Sequence, residues 1–287
     1  MSKRALSHTK APLSGQEPNE EEWEARLARI KAALGYWRER LKSPEKVMPG
    51  SSLKADDQIH PEMPCSQLAW WGLTMGVEHL DGTLSLLEHQ LEQEKPILPA
   101  ATYTVLRGAL LGASQAALLL CAPQRVDRIN YALQIAHEEY RQEFIFRNET
   151  VNHAAVSETE RQSVLDEDFL GRAERGKERV KALLSERDGP TGKLTDTKMI
   201  ELAAKVVHRG EDADLLRMGV EMEWRLGSGS SHGRLLMNMH RPQAFDRDDQ
   251  GNTAYFSASK PMVIQQMATV FLTLQEAWRM WDLRRFP

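Results

Sequence analysis

Cysteine is nearly missing: Cys65 and Cys121 are the only two in 287 residues. That is too few for a disulfide scaffold or a four-cysteine zinc module. Both sit among apolar neighbours in the sequence, so they read as buried thiols of a reducing compartment. An excess of one charge is missing too. Lys+Arg 37 against Asp+Glu 41 leaves a net charge of -4, and no global positive field exists to hold nucleic acid or acidic membrane without selectivity. RNA, if it binds, must be met by a local site. No run of about 18 uninterrupted apolar residues occurs, and the polar start of the chain has no signal-peptide core. The expectation is a cytoplasmic protein with no membrane partner. None of the nine histidines has Glu three positions before it, which argues against paired di-iron motifs on facing helices. His-Glu-x-x-His, paired Cys-x-x-Cys, Gly-x-x-x-x-Gly-Lys and strand–helix alternation are also absent. No metal and no cofactor are expected.

What is present is helical periodicity. Residues 1–18 mix Ser, Pro, Lys and Gly without pattern and read as a disordered tail. Residues 19–287 then read as one helical domain. From Glu21 to Leu41, Trp23, Leu27, Ile30, Leu34 and Trp37 fall three and four apart. Residues 43–65 read as a loop. Ser66 is placed to cap a helix to about Glu94, with Trp70, Leu73, Val77, Leu80, Leu84, Leu87 and Leu91 as its stripe. Residues 100–121 are apolar on every face, which predicts a helix surrounded by neighbours. Residues 124–152 form its next antiparallel partner, and Ser157 with Glu160 opens a charged outer helix to about Glu186. A short helix over 196–208 precedes one from Asp212 or Asp214 that carries Leu215, Gly219, Met222 and Leu226 on one face. LLMNMH and TAYFS flank the polar DRDDQGN and predict a β-hairpin near 234–258. Val263, Met267, Val270, Leu274, Trp278 and Trp281 mark the last helix. The fold class is all-α: about seven helices with a small β-hairpin insertion before the last.

Arg225 and His232 stand seven positions apart, about two helical turns. A helix that persists puts guanidinium and imidazole on one face. The spacing resembles the Arg-x(4–6)-His motif of the HEPN superfamily of helical bundles, which includes metal-independent ribonucleases that act as dimers. It implies His232 as general acid or base and Arg225 on the phosphate. The intervening GSGSS supplies Ser228, Ser230 and Ser231 as substrate-binding hydroxyls beside glycines that let backbone approach an anion. The bland alternative is that Gly and Ser break the helix and His232 caps it. Two further matches to the spacing, Arg147 to His153 and Arg234 to His240, carry less context. The Gly-x-Ser-x-Gly match at Gly229–Gly233 lacks the parallel sheet of a hydrolase. Arg107, in the all-apolar helix beside Tyr103 and Ser114, needs a partner, for which Glu78, Asp81, Glu88 and Glu138 are the candidates. It is either a structural ion pair or an internal anion site, and a small-molecule site there predicts a polar cavity. His137, on the stripe of Leu133 and Phe144, reads as a core histidine, and the tryptophans read as core.

The segments LRGALLGASQAALLLCAPQRVDRINYALQ and WRLGSGSSHGR, the β-like insertion and the Trp-rich last helix together resemble a group of uncharacterised bacterial helical proteins common in actinomycetes. The likeness covers most of residues 66–285 and rests on Arg107, on Pro123 to Arg128 and on Ser230 to Gly233. That group is distantly HEPN-like. The likeness to this group transfers no established activity; it is the HEPN resemblance of Arg225 and His232 that implies a HEPN-like bundle and an endoribonuclease of defence or toxin type, a homodimer, with RNA and an antitoxin or defence protein as partners. The competing expectation is a non-catalytic helical binding or scaffold protein that forms homo-oligomers.

Overall fold

In a computed structural model of the chain, residues 19–157, 159, 161, 170–189, 192–240, 243–247 and 254–287 are described. The expected tail, part of the charged segment after Ser157 and the hairpin turn lie outside them. Ten helices occur among the described residues.

Helix α1, Glu20–Leu41, starts from a complete capping box between Asn19 and Glu22, and its first turn is acidic while its last carries Arg38 and Arg40. Its buried face is the expected one, Leu27, Ile30, Leu34 and Trp37. The expected loop contains a short helix, α2, Ser52–Asp57, capped by the Ser51 side chain on the Lys54 N–H. Helix α3, Cys65–Glu92, starts at Pro64 rather than from a Ser66 cap. Ser66 is already inside it and gives both its N–H and its hydroxyl, at 2.8 Å each, to the Asp57 carboxylate. Asp57 thus satisfies donors that the first helical turn cannot.

Helix α4, Pro99–Cys121, is the central helix foreseen from its composition: it packs against α3 and against α7, α8 and α10, defined below. It is long and apolar enough to cross a membrane by composition alone, and 67% of its apolar window is buried by neighbours, as suits a core helix. Small residues set the α3–α4 spacing. A Cβ on Gly72 would come 2.8 Å from Gly112 O, and one on Gly112 would come 2.7 Å from Gly76 N. The end of α4 is closed by three arginines, two from distant segments and one from the start of the helix that follows: Arg284 on Leu120 O, Arg209 on Cys121 O and Arg128 on Ala122 O. These cations meet carbonyls that no further helical turn would satisfy.

Helix α5, Arg125–Asn152, meets α3 and α4 less than it meets α6, Gly171–Ser185. Its root is an ion pair in which Arg125 and Arg128 grip the fully buried Asp56 of α2, at 2.7 and 3.0 Å. Helices α7, Asp196–Val207, and α8, Ala213–Ser231, follow the expected boundaries. The orientation of α8 does not follow the expected stripe. Its covered face is Val220, Trp224, Gly227 and Ser230, while Leu215 and Met222 are exposed.

LLMNM is a helix, α9, Leu235–Met239, and not a strand. The hairpin lies further on, with β1, Gln243–Arg247, antiparallel to β2, Ala254–Ala258, in the register Gln243 opposite Ala258. Ala258 N–H donates to Ile97 O at 3.0 Å and ties the ribbon to the start of α4. Helix α10, Lys260–Arg284, buries its whole predicted stripe. Trp37, Trp70, Trp278 and Trp281 cluster with ring centroids 5.2–6.4 Å apart, but Trp71 is exposed against expectation. The chain is all-α, with α2 and α9 as the short helices that periodicity missed.

Candidate functional site

Helix α8 continues through GSGSS to Ser231, so Arg225 and His232 share one edge of it. Both are exposed. The end of α8 is a Schellman closure: Gly233 N–H bonds Ser230 O, Arg234 N–H bonds Gly229 O, and Gly233 takes the left-handed φ of 62°. His232 is the C-cap, as in the bland alternative. Ser230 and Ser231 hydroxyls turn back to Leu226 O and Gly227 O at 3.3 and 2.9 Å, and the Ser228 carbonyl accepts from His232 N–H. The glycines serve packing: Gly227 lies against the Arg107 stem and Gly229 against Met237. The sequence-predicted pair therefore sits on the outer surface of a helix end.

Arg107 finds none of its four anticipated partners. Its guanidinium stacks 4.3 Å over the Trp224 ring, and Asp196 of α7 stands 3.9 Å away. Trp224 is itself fixed by donating Nε1–H to Thr197 Oγ1 at 3.0 Å. The void beside Arg107, bounded by Tyr103, Glu223 and Gln266, is only about 10 Å³, room for a single water. The expected polar cavity is not of ligand size. No group of three metal-ligating side chains occurs among the described residues.

A larger concavity lies away from α8 and Arg107. A groove of about 770 Å³ opens between α5, α6 and residues 187–189 and 192–194, within the usual size of small-molecule sites. Helix α5 contributes Gln134, His137, Glu138 and Arg141, α6 contributes Lys181 and Leu184, and the residues after it contribute Arg187, Asp188, Lys193 and Leu194. Its floor is held by Asn130, which donates Nδ2–H to Asp188 O at 2.7 Å, beside Gly189 with φ 110°. A Cβ on Gly189 would stand 2.6 Å from Asn130 Nδ2. Arg141 is committed to Glu138 through two bonds of 2.8 and 2.5 Å. Those bonds hold the Glu138 carboxyl down at about 2 against its partial burial, with Gln142 and Lys193 helping. Burial pushes His137 below its ordinary value although Glu138 pulls it up, so the imidazole is neutral at neutral pH. His137 is half-buried at the groove, not in the core. Arg187 makes no ion pair among the described residues, and its Nε is shut from water without an acceptor. The only sequence signal for this site is the basic pair Arg187 and Lys193 around the glycines of RDGPTGK.

No protein-family model, curated protein or solved structure matches this chain.

Proposed function

We propose that the chain is a self-associating helical binding protein in which the outer face of α8 docks a second copy. One observation carries this reading: the apolar stripe of α8 faces out, with Leu215, Met218 and Met222 40, 50 and 51% exposed. Leu235 and Leu236 of the adjoining α9 are exposed as well. An apolar helix face of this kind marks an interaction surface. Self-complementarity argues for a second copy as the occupant. Asp214 and Arg225 are eleven residues apart, three turns, and lie on the same edge of the stripe. Two α8 helices crossing antiparallel about a two-fold axis between Gly219 and Val220 bring Asp214 of each beside Arg225 of the other. Asp214 is almost fully exposed, at 98%, and Arg225 has no ion-pair partner among the described residues. In light scattering the protein is expected at twice its 32.6 kDa chain mass, and Met218→Glu with Met222→Glu is expected at the monomer mass while still folded. A wild-type monomer at about 100 μM overturns the reading.

The second reading, a HEPN-like metal-independent endoribonuclease, is favoured by the unbroken α8, which keeps Arg225 and His232 accessible on one edge. His232 then handles the proton of an RNA 2′-hydroxyl and Arg225 steadies the phosphate. Cleavage of a tRNA and mRNA pool in EDTA, lost in His232→Ala, is the outcome it requires. The readings divide on Arg225: as an interface residue its loss weakens the dimer, and as a phosphate ligand its loss stops cleavage at unchanged mass.

A further inference from the structure

The groove between α5, α6 and residues 187–189 and 192–194 shares no lining residue with α8 and is independent of the self-association reading. We propose that it binds a small organic phosphate, with the oxyanion on Arg187, Lys181 and Lys193 and the apolar body of the ligand on Leu184 and Leu194.

Charge selects an anion. Of the basic groups on the wall, Arg141 is neutralised by Glu138 through the paired bonds described above. Among the described residues Lys181 pairs with Glu178, 3.7 Å away and itself exposed. Arg187 has no acidic partner among the described residues, and Lys193 stands near the already paired Glu138. Among the described lining residues, Asp188 and the already paired Glu138 are the acids that oppose the cations, so the wall is cationic in a chain that is acidic overall.

Arg187 supplies the second, independent observation. Its buried Nε lacks an acceptor among the described residues, and a buried donor left unmet is unfavourable. Arg187 lines the groove; its Nε is closed to solvent while the groove is empty, so an oxyanion meets it only as the side chain turns toward the ligand, and a phosphate then engages the guanidinium with two oxygens at once, in the fork geometry that arginine favours. Leu184 is buried at the base of the groove and Leu194 is half-buried, a surface for an apolar body that inorganic phosphate cannot use. Neutral His137 adds a polar group that neither repels nor neutralises the anion.

Phenyl phosphate is the smallest probe with both parts. Calorimetric titration of the full chain is expected to give one saturable site with Kd below about 1 mM. Inorganic phosphate should bind roughly tenfold more weakly, and phenol not at all. Arg187→Gln should weaken phenyl phosphate about tenfold without lowering the melting temperature, because the Arg187 side chain makes no hydrogen bond or ion pair among the described residues. Tyr36→Ser, exposed on α1 and outside both proposed sites, should bind as the wild type does, and because the readout is ligand binding and not chain mass, failure here and failure of the α8 reading are separable. Absence of saturable binding to the folded wild type up to about 10 mM, or equal affinity in Arg187→Gln, overturns the proposal. Equal affinity for phosphate and phenyl phosphate removes its organic part.

Discussion

At the residue scale, stability is concentrated in a few buried polar knots. Glu45 accepts from Arg40 Nε and Nη2 at 2.7 Å and from Trp281 Nε1 at 2.8 Å. Burial works against the Glu45 charge, but the Arg40 and Trp281 bonds outweigh it and hold its carboxyl below the ordinary range. A depressed folded value means that its contribution is present above the unfolded value of about 4.3 and fades as pH falls through the folded one. Glu45→Gln should therefore lower the urea midpoint at pH 7 and lose that difference in acid. Asp56→Ala should cost about 3–5 kcal/mol in urea unfolding, since it strands the buried Arg128. Burial raises the Cys121 thiol to about 12 and Cys65 further still. Ellman's reagent at pH 8 should find no thiol in the folded protein and two in the unfolded chain. These knots were hard to read in advance because each joins residues from separate segments: Arg107 was recognised as needing a partner, but Trp224 and Asp196 lie about a hundred positions away.

At the element scale, helix existence was legible and helix orientation was not. Capping chemistry and three-and-four spacing placed α1, α3, α4, α5, α7, α8 and α10 close to their observed bounds. Short helices such as α2 and α9 present too few turns for periodicity to register. The α8 stripe was legible as apolar, yet spacing does not tell whether a neighbour covers it. The covered side is built instead from Trp224 and small residues, because α8 must sit close to the Arg107 stem of α4. Close approach also governs α3 and α4. Gly112→Ala should destabilise by about 3 kcal/mol, since its methyl meets the α3 backbone at Gly72 and Gly76. Gly35→Ala in α1, where nothing lies within 4 Å, should stabilise by roughly 0.5–1 kcal/mol. Urea unfolding of the two variants measures the contrast.

At the scale of the whole molecule, α4 is wrapped by helices that precede and follow it in the chain, and the two proposed sites lie on two separate surfaces. One is the groove, illegible in sequence because it is assembled from residues spread over positions 134 to 194. The other is the α8 face, whose polar edge carries both residues that the sequence singled out. Which of them is used as an interface follows from a single cross-link. Met218 lies beside the inferred two-fold axis, and both native thiols are buried, so Met218→Cys introduces the one exposed cysteine. Mild oxidation should convert the variant to a disulfide-linked dimer of twice 32.6 kDa, whereas Tyr36→Cys, exposed on α1, should stay monomeric in denaturing gels. A Met218→Cys chain that remains uncross-linked under conditions where the protein is folded contradicts the account.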